Sequence, residues 1–264
     1  AARTGAAGRE IMSITRLETN MRSQAANLLH IHHVGKTDQH LFYVMDLADD
    51  ITGYPPSNDP SYRPATLKNR LASGPLPAET CLLYARQLVT ALASLHSTGM
   101  VHRDVKPSNC LFIDGELKLA DFGLLTQSHT LVSQIGTRGY MPPDGRMNMR
   151  ADVYAAGLVI YEIVTGLPAD SFPHLGNRAG EIATNPILGR LIRLTLETCQ
   201  GDPQKRPEDA GQLLSELNQI GNLSTPPTPR RRKKTVFSLV SLAIVLIGIL
   251  VGLLFLPRTD THNF

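Results

Sequence analysis

Between His102 and Gly123 the chain reads HRDVKPSNCLFIDGELKLADFG, two short apolar runs on either side of Asp114-Gly115, and no other segment restricts the fold as much. Asp-Gly is a favoured two-residue hairpin turn, so the runs are expected to pair as antiparallel strands. If Ile113 pairs with Glu116, paired residue numbers sum to 229, which sets Asn109 opposite Ala120 and beside Asp121. Asp104 lies five residues before Asn109, with Lys106 between them. One loop end should therefore gather two carboxylates, an amide oxygen and an ammonium. Hard oxygen ligands of this kind suit Mg²⁺ carrying phosphate. The set fits phosphoryl transfer, in which positioning and charge neutralisation do most of the catalysis. Asp104 would orient or accept a hydroxyl proton, Lys106 would offset charge on the moving group, and Asn109 with Asp121 would hold the metal.

The surrounding pattern is that of a mainly helical domain after residue 75. Residues 79–98 place Leu82, Ala85, Leu88, Val89, Leu92 and Leu95 on one helical face, and Gly99 supplies a stop. Residues 152–165 are apolar on nearly all sides and closed by Gly166, which predicts a fully buried helix. Leu41-Phe-Tyr-Val-Met45 reads as a strand, followed by a long loop rich in Pro, Asn, Asp and Ser from Gly53 to Pro64. His30, His32 and His33 cluster in sequence, and on a strand His30 and His32 would share a face, as a transition-metal site needs; no acidic or Cys ligand stands at a fixed spacing nearby, so solvated side chains are the better reading. Cys110 follows Asn109 in an apolar strand, which favours burial over reactivity.

The net charge of +3 over 264 residues is misleading, because Arg230 to Lys234 contribute five positive charges in one block. Residues 1–229 carry 20 basic against 22 acidic side chains, a balance of −2 that lacks the field needed to bind nucleic acid. The basic block precedes 21 uncharged residues, Val236 to Leu256, enough for a helix of roughly 30 Å, the thickness of a bilayer core. A membrane-spanning helix is expected over 235–257. The excess of Lys and Arg before it predicts that residues 1–234 are cytoplasmic and that 258–264 form a short outer tail. Gly248 and Gly252 form a G-x-x-x-G pair of the kind that lets two such helices dimerise. Residues 224–234 read as an extended Pro-rich and basic linker, and the domain before it as 1–223. Cys81, Cys110 and Cys199 are odd in number and widely spaced, which supports neither a disulfide framework nor a zinc knuckle.

Taken together, these motifs resemble the eukaryotic-like serine/threonine protein kinases of bacteria, from about Arg9 to Asn222. HRDVKPSN at 102–109 is similar to that family's catalytic loop, with Lys106 in the serine/threonine form, and DFG at 121–123 to its metal-binding motif. GTRGYMPPD at 136–144 resembles the end of the activation segment, DVYAAGLVIYEIVTG at 152–166 the central buried helix, and DPQKRP at 202–207 a late turn. The resemblance implies an α+β kinase-like fold with an incomplete sheet lobe, ATP with Mg²⁺ or Mn²⁺, and transfer to Ser or Thr hydroxyls of proteins.

It also implies roles for further residues. Asp152 would brace the catalytic loop. Arg206 would pair with Asp144, which stands where the family usually has Glu, and the shorter side chain would lengthen that pair. Met45 would be the gatekeeper. The Asp46 carbonyl and the Ala48 N–H would face adenine, with Leu111 also lining the nucleotide site. Glu10 would pair with a nucleotide-binding Lys, Thr137 would contact Asp104 and Lys106, and His102, Phe122 and Gly123 would shape the loop ends. Arg103 would be held by a phosphate on Thr126, Ser128, Thr130 or Ser133, placed there by autophosphorylation.

No glycine-rich loop and no Val-Ala-x-Lys strand precede Glu10. The expectation is a fragment of a longer membrane kinase. The alternatives are a membrane-tethered pseudokinase scaffold and a small-molecule phosphotransferase on the same fold.

Overall fold

The computed structural model describes residues 27–37, 41–53, 61–121, 126–127 and 138–222. The chain divides into two units, Ala1–Ser224 and Thr225–Phe264, and all described residues belong to the first. Among them no helix is long and apolar enough to cross a membrane. The apolar run 235–257, with Gly248 and Gly252, lies outside the described residues, as do the 224–234 linker and the tail.

The described chain begins with an antiparallel pair, β1 (Ile31–Lys36) and β2 (Leu41–Met45), in the register Lys36 to Leu41 through Ile31 to Met45. A bulge between Ile31 and His33 breaks the ladder and re-aims the side chains around it. Opposite Phe42 stands Gly35, where an added Cβ would come 2.2 Å from the phenyl Cζ. The ring lies over the glycine, so the glycine is needed there.

The hairpin of β4 (Cys110–Ile113) and β5 (Glu116–Leu119) has the expected register. Ile113 pairs with Glu116, Phe112 with Leu117, Leu111 with Lys118 and Cys110 with Leu119. The turn uses left-handed backbone at Asp114 (φ 52°) and Gly115 (φ 77°), and both amides donate to the Asp49 carboxylate at 2.9 Å. Backbone bonds flank the hairpin on both sides: Leu29 and Asn27 meet Leu119, while Asp49 and Ala65 meet Phe112. Two further strands, β3 (Met100–Val101) and β6 (Thr126–Gln127), pair with each other. With two residues each they carry no readable alternation, which is why the sequence pattern misses them.

The helices form the core. After the short α1 (Leu67–Leu71), capped by the Thr66 hydroxyl, α2 (Ala78–Ser97) buries all six of the residues assigned to its inner face. Gly99 ends it in the left-handed conformation at φ 78°. α3 (Met149–Thr165) starts three residues earlier than its apolar run suggests, because Asn148 caps it by accepting from the Ala151 N–H at 3.1 Å. It is buried on nearly all sides and closed by Gly166 at φ 71°. At Gly157 an added Cβ would meet Cys199 Sγ at 2.7 Å and Thr198 Cγ2 at 2.8 Å, so α3 touches α5 (Pro186–Thr198) there almost backbone to side chain. α4 (Ala179–Thr184) packs on α5, and α6 (Ala210–Asn222) packs on α2. Buried Arg178 ties the end of α3 to the segment before α2, donating to the Val164 and Leu76 carbonyls at 2.6 Å each.

Candidate active site

The loop between β3 and β4 is held open by a carboxylate from another element. Asp152, in the first turn of α3 and 1% exposed, accepts from the His102 N–H at 2.6 Å through Oδ2 and from the Arg103 N–H at 2.7 Å through Oδ1. Arg103 has φ 71°, a conformation costly for a side-chain-bearing residue, and the two bonds to Asp152 hold it there. A third bond reaches the same carboxylate from α2: His96 Nε2 lies 3.0 Å from Asp152 Oδ2. Because His96 Nδ1 accepts from the Ala210 N–H at 3.1 Å, the ring proton sits on Nε2 and is donated to Asp152. The ends of three helices thus converge beneath the loop. His96 was missed in the sequence, where it is one polar residue at the end of an apolar helix.

Above this brace lie the chemical groups. His102 is fully buried; its Nε2–H donates to the Ala120 carbonyl at 2.9 Å and its Nδ1 accepts from the Asp104 N–H at 3.3 Å. Burial pushes its pKa below the ordinary value, against the pull of Asp152, so the ring is held neutral. Lys106 Nζ stands 2.6 Å from Asp104 Oδ2. Asn109, in the 3₁₀ turn Pro107–Asn109, donates from Nδ2 to the Asp104 carbonyl at 2.8 Å and to Asp104 Oδ2 at 3.0 Å. These two bonds orient the amide, turning its Oδ1 away from Asp104. Asn109 O accepts from the Ala120 N–H at 2.8 Å, which sets Asp121 one residue past that bond. Asp121 is exposed and has φ 69°, a second left-handed residue at the loop end.

An oriented amide oxygen just before β4 and an exposed carboxylate just after β5 fit a hard divalent cation such as Mg²⁺ or Mn²⁺, which Asn109 and Asp121 would hold. Bound there with nucleotide, the ion would neutralise phosphate charge.

The structure brings Asp104, Lys106 and Asn109 into direct contact and Asp121 to the next position on the hairpin. Arg103 Nε is buried with no hydrogen-bond partner among the described residues, and burial lowers the guanidinium pKa. Asp144 Oδ1 stands 3.4 Å from Arg206 Nη1, a single long contact. Arg206 completes its shell with the Gln200 and Gly201 carbonyls at 2.7 and 3.0 Å and with the Tyr154 ring. On the nucleotide side, Asp46 and buried Ala48 follow β2, and the Ala48 carbonyl accepts from the Tyr62 hydroxyl at 3.0 Å. Leu111 is partly buried on β4, and Met45 is exposed at the end of β2. Thr126 pairs with Val101 through the backbone. Glu10, Phe122, Gly123, Ser128, Thr130, Ser133 and Thr137 lie outside the described residues.

One reading is corrected by the tertiary structure. His30 and His32 do have an acidic neighbour: the fold brings Asp46 Oδ1 within 2.6 Å of His32 Nε2, from fourteen residues away and one residue past the end of β2.

A protein kinase domain matches residues 6–220. The chain belongs to the protein kinase family. It is 34% identical over 181 residues to the serine/threonine-protein kinase PknL of Mycobacterium tuberculosis, covering 64% of this chain and 41% of that protein. It is 33% identical over 217 residues to the serine/threonine-protein kinase PrkC of Bacillus subtilis, covering 72% of this chain and 31% of that protein. The chain therefore spans less than half the length of these curated relatives. The family generally uses ATP and Mg²⁺, in keeping with the donor set at Asn109 and Asp121.

Proposed function

We propose that this chain transfers the γ-phosphoryl group of ATP to Ser and Thr hydroxyls of protein substrates. The observation that carries the reading is the Asp104, Lys106 and Asn109 constellation, fixed on a loop whose backbone is clamped by Asp152. In the reaction a substrate hydroxyl oxygen forms a bond to the γ-phosphorus and the bond from that phosphorus to the β–γ bridging oxygen breaks, releasing ADP. Asp104 accepts the hydroxyl proton. Lys106, 2.6 Å from Asp104, moves its charge onto the transferred group. The bond from Asn109 Nδ2 keeps Asp104 Oδ2 in place. The low exposure of Asp104 excludes most water from the proton transfer.

Regulation follows from Arg103. Its buried Nε, without a hydrogen-bond partner among the described residues, supports a reading in which a phosphate on Thr126, Ser128, Thr130 or Ser133 completes its hydrogen bonding, so that autophosphorylation orders the segment after DFG. Residues 235–257 anchor the domain in a membrane, with 1–234 on the cytoplasmic side. Gly248 and Gly252 bring two copies together for phosphorylation of one by the other, in a signalling role.

ATP titration of the full-length protein, with and without Mg²⁺, followed by peptide phosphorylation, tests the reading. Mg²⁺-dependent binding and labelling of Ser or Thr are expected. Metal-independent binding without transfer would make the chain a scaffold, and transfer to small molecules alone would remove the protein-kinase reading.

A further inference from the structure

On the β1–β2 hairpin, away from the catalytic loop, two imidazoles and a carboxylate converge. His30 Nδ1 lies 3.2 Å from His32 Nδ1, and His32 Nε2 lies 2.6 Å from Asp46 Oδ1. The two rings meet edge to face, with centroids 4.6 Å apart and planes at 66°, so their nitrogens approach while their faces stay apart. Among the described residues this is the one group of three such side chains whose ligand atoms lie within 4.8 Å of one another. Its side chains serve no step of the reaction proposed above, where only the backbone carbonyl of Asp46 is assigned, to adenine.

We propose that His30 and His32 form a binding site for a first-row transition-metal dication of the Zn²⁺ class, with Asp46 orienting His32. The separation of the two nitrogens is the first argument. Two ligands of a tetrahedral zinc at about 2.05 Å subtend an edge of roughly 3.3 Å, close to the spacing the two Nδ1 atoms already have. A contact of this length between imidazole nitrogens needs a shared proton, and a metal ion takes the place of that proton.

The arrangement at His32 is the second argument. Its Nε2 points at a carboxylate, which fixes the proton on Nε2 and leaves the Nδ1 lone pair for a metal. This is the carboxylate–histidine–metal relay by which proteins orient ligating histidines. Backbone geometry is the third. The bulge between Ile31 and His33 re-aims this stretch, and the Asp46 N–H donates to the His30 carbonyl at 3.4 Å, tying both sides of the site together. His33 is turned to the Phe42 ring, so it is not a ligand. The side chains of His32 and Asp46 are 49% and 38% exposed, which leaves an entry path and room for water to complete the coordination. Imidazole ligands favour Zn²⁺, Cu²⁺ or Ni²⁺ over Mg²⁺.

The test is titration of the full-length protein with ZnCl₂ by calorimetry, and with CoCl₂ by visible absorption, in excess Mg²⁺ so that the Asn109 and Asp121 oxygens are satisfied. Saturable binding of one ion is expected, with the cobalt spectrum of nitrogen ligation. The double variant His30→Ala/His32→Ala should lose it. Asp46→Ala, which keeps both ligands, should weaken it about 10–100-fold, the usual cost of removing such a partner. All three side chains are at the surface, and equal thermal unfolding of variants and wild type confirms that the hairpin persists. Unchanged zinc affinity in the double variant, or no binding by the wild type, overturns the proposal. An Asp46→Ala protein that binds as tightly as wild type removes Asp46 from the site.

Discussion

His96 donates from Nε2 to Asp152 Oδ2 across 3.0 Å, with both side chains almost wholly buried, and through this bond the far end of α2 supports the catalytic loop. The same carboxylate accepts the backbone amides of His102 and Arg103. One side chain thus fixes the backbone on which Asp104 stands.

Asp152→Ala should orphan both amides. At about 1–3 kcal/mol for each unsatisfied buried donor, the loss is roughly 2–6 kcal/mol. Thermal unfolding followed by circular dichroism should show it, and hydrogen exchange at His102 and Arg103 should accelerate. His96→Ala, which leaves those amides bonded, should cost less than Asp152→Ala. Equal stability of the Asp152 variant and wild type would contradict the bracing role.

Gly157→Ala should destabilise the domain by about 1–3 kcal/mol, the usual cost of overpacking. The added Cβ would stand 2.7 Å from Cys199 Sγ, inside the α3 and α5 contact. The midpoint of urea unfolding measures it. A compensating Cys199→Ala in the same chain should recover part of the loss, because it removes the nearer of the clashing atoms and leaves Thr198 in place.

Burial raises the thiol of Cys81 and pushes those of Cys110 and Cys199 up to about 12. At pH 8 the native protein should therefore label none of the three with a thiol reagent on a minutes timescale, and the urea-unfolded chain should label all three. Rapid native labelling at Cys110 would contradict its burial at the start of β4.

His102 gives a pH dependence of known sign. Burial holds its folded-state pKa below the ordinary 6.5, so the unfolded chain binds the proton more readily. Its contribution to stability is fully present above about pH 6.5 and is lost as the pH falls toward the lower, folded-state value. The unfolding free energy should thus decline between pH 7 and pH 5.5, and His102→Gln should flatten that decline. A stability that rises across this window in the wild type, or an equal decline in the variant, would contradict the neutral buried ring.

Much of this arrangement could be read from the chain because it is local. The hairpin register follows from Asp114-Gly115 alone, and the register carries Asn109 to Ala120. The buried face of α2 follows from 3.6-residue periodicity, and the burial of α3 from a run that is apolar on nearly all sides. What could not be read depends on residues far apart in sequence. Asp49 on the hairpin turn, His96 beneath Asp152 and Asp46 beside His32 are polar residues with no period or spacing to mark them, and only the tertiary fold supplies their partners. The two-residue strands β3 and β6 are too short to alternate. Asn148 was missed as the start of α3 because the first turn is less apolar than the run that follows.

The most direct test of the account compares the full-length protein with its Asp104→Asn and Asp121→Asn variants in single-turnover transfer of labelled γ-phosphate from Mg-ATP, with ATP affinity measured beside it. Asp104→Asn should lower the transfer rate by about 10²–10⁴-fold, the range of a lost general base, and leave ATP affinity nearly unchanged. Asp121→Asn should instead weaken the Mg²⁺-dependent step. Equal transfer rates in wild type and both variants would contradict the assignment of the site.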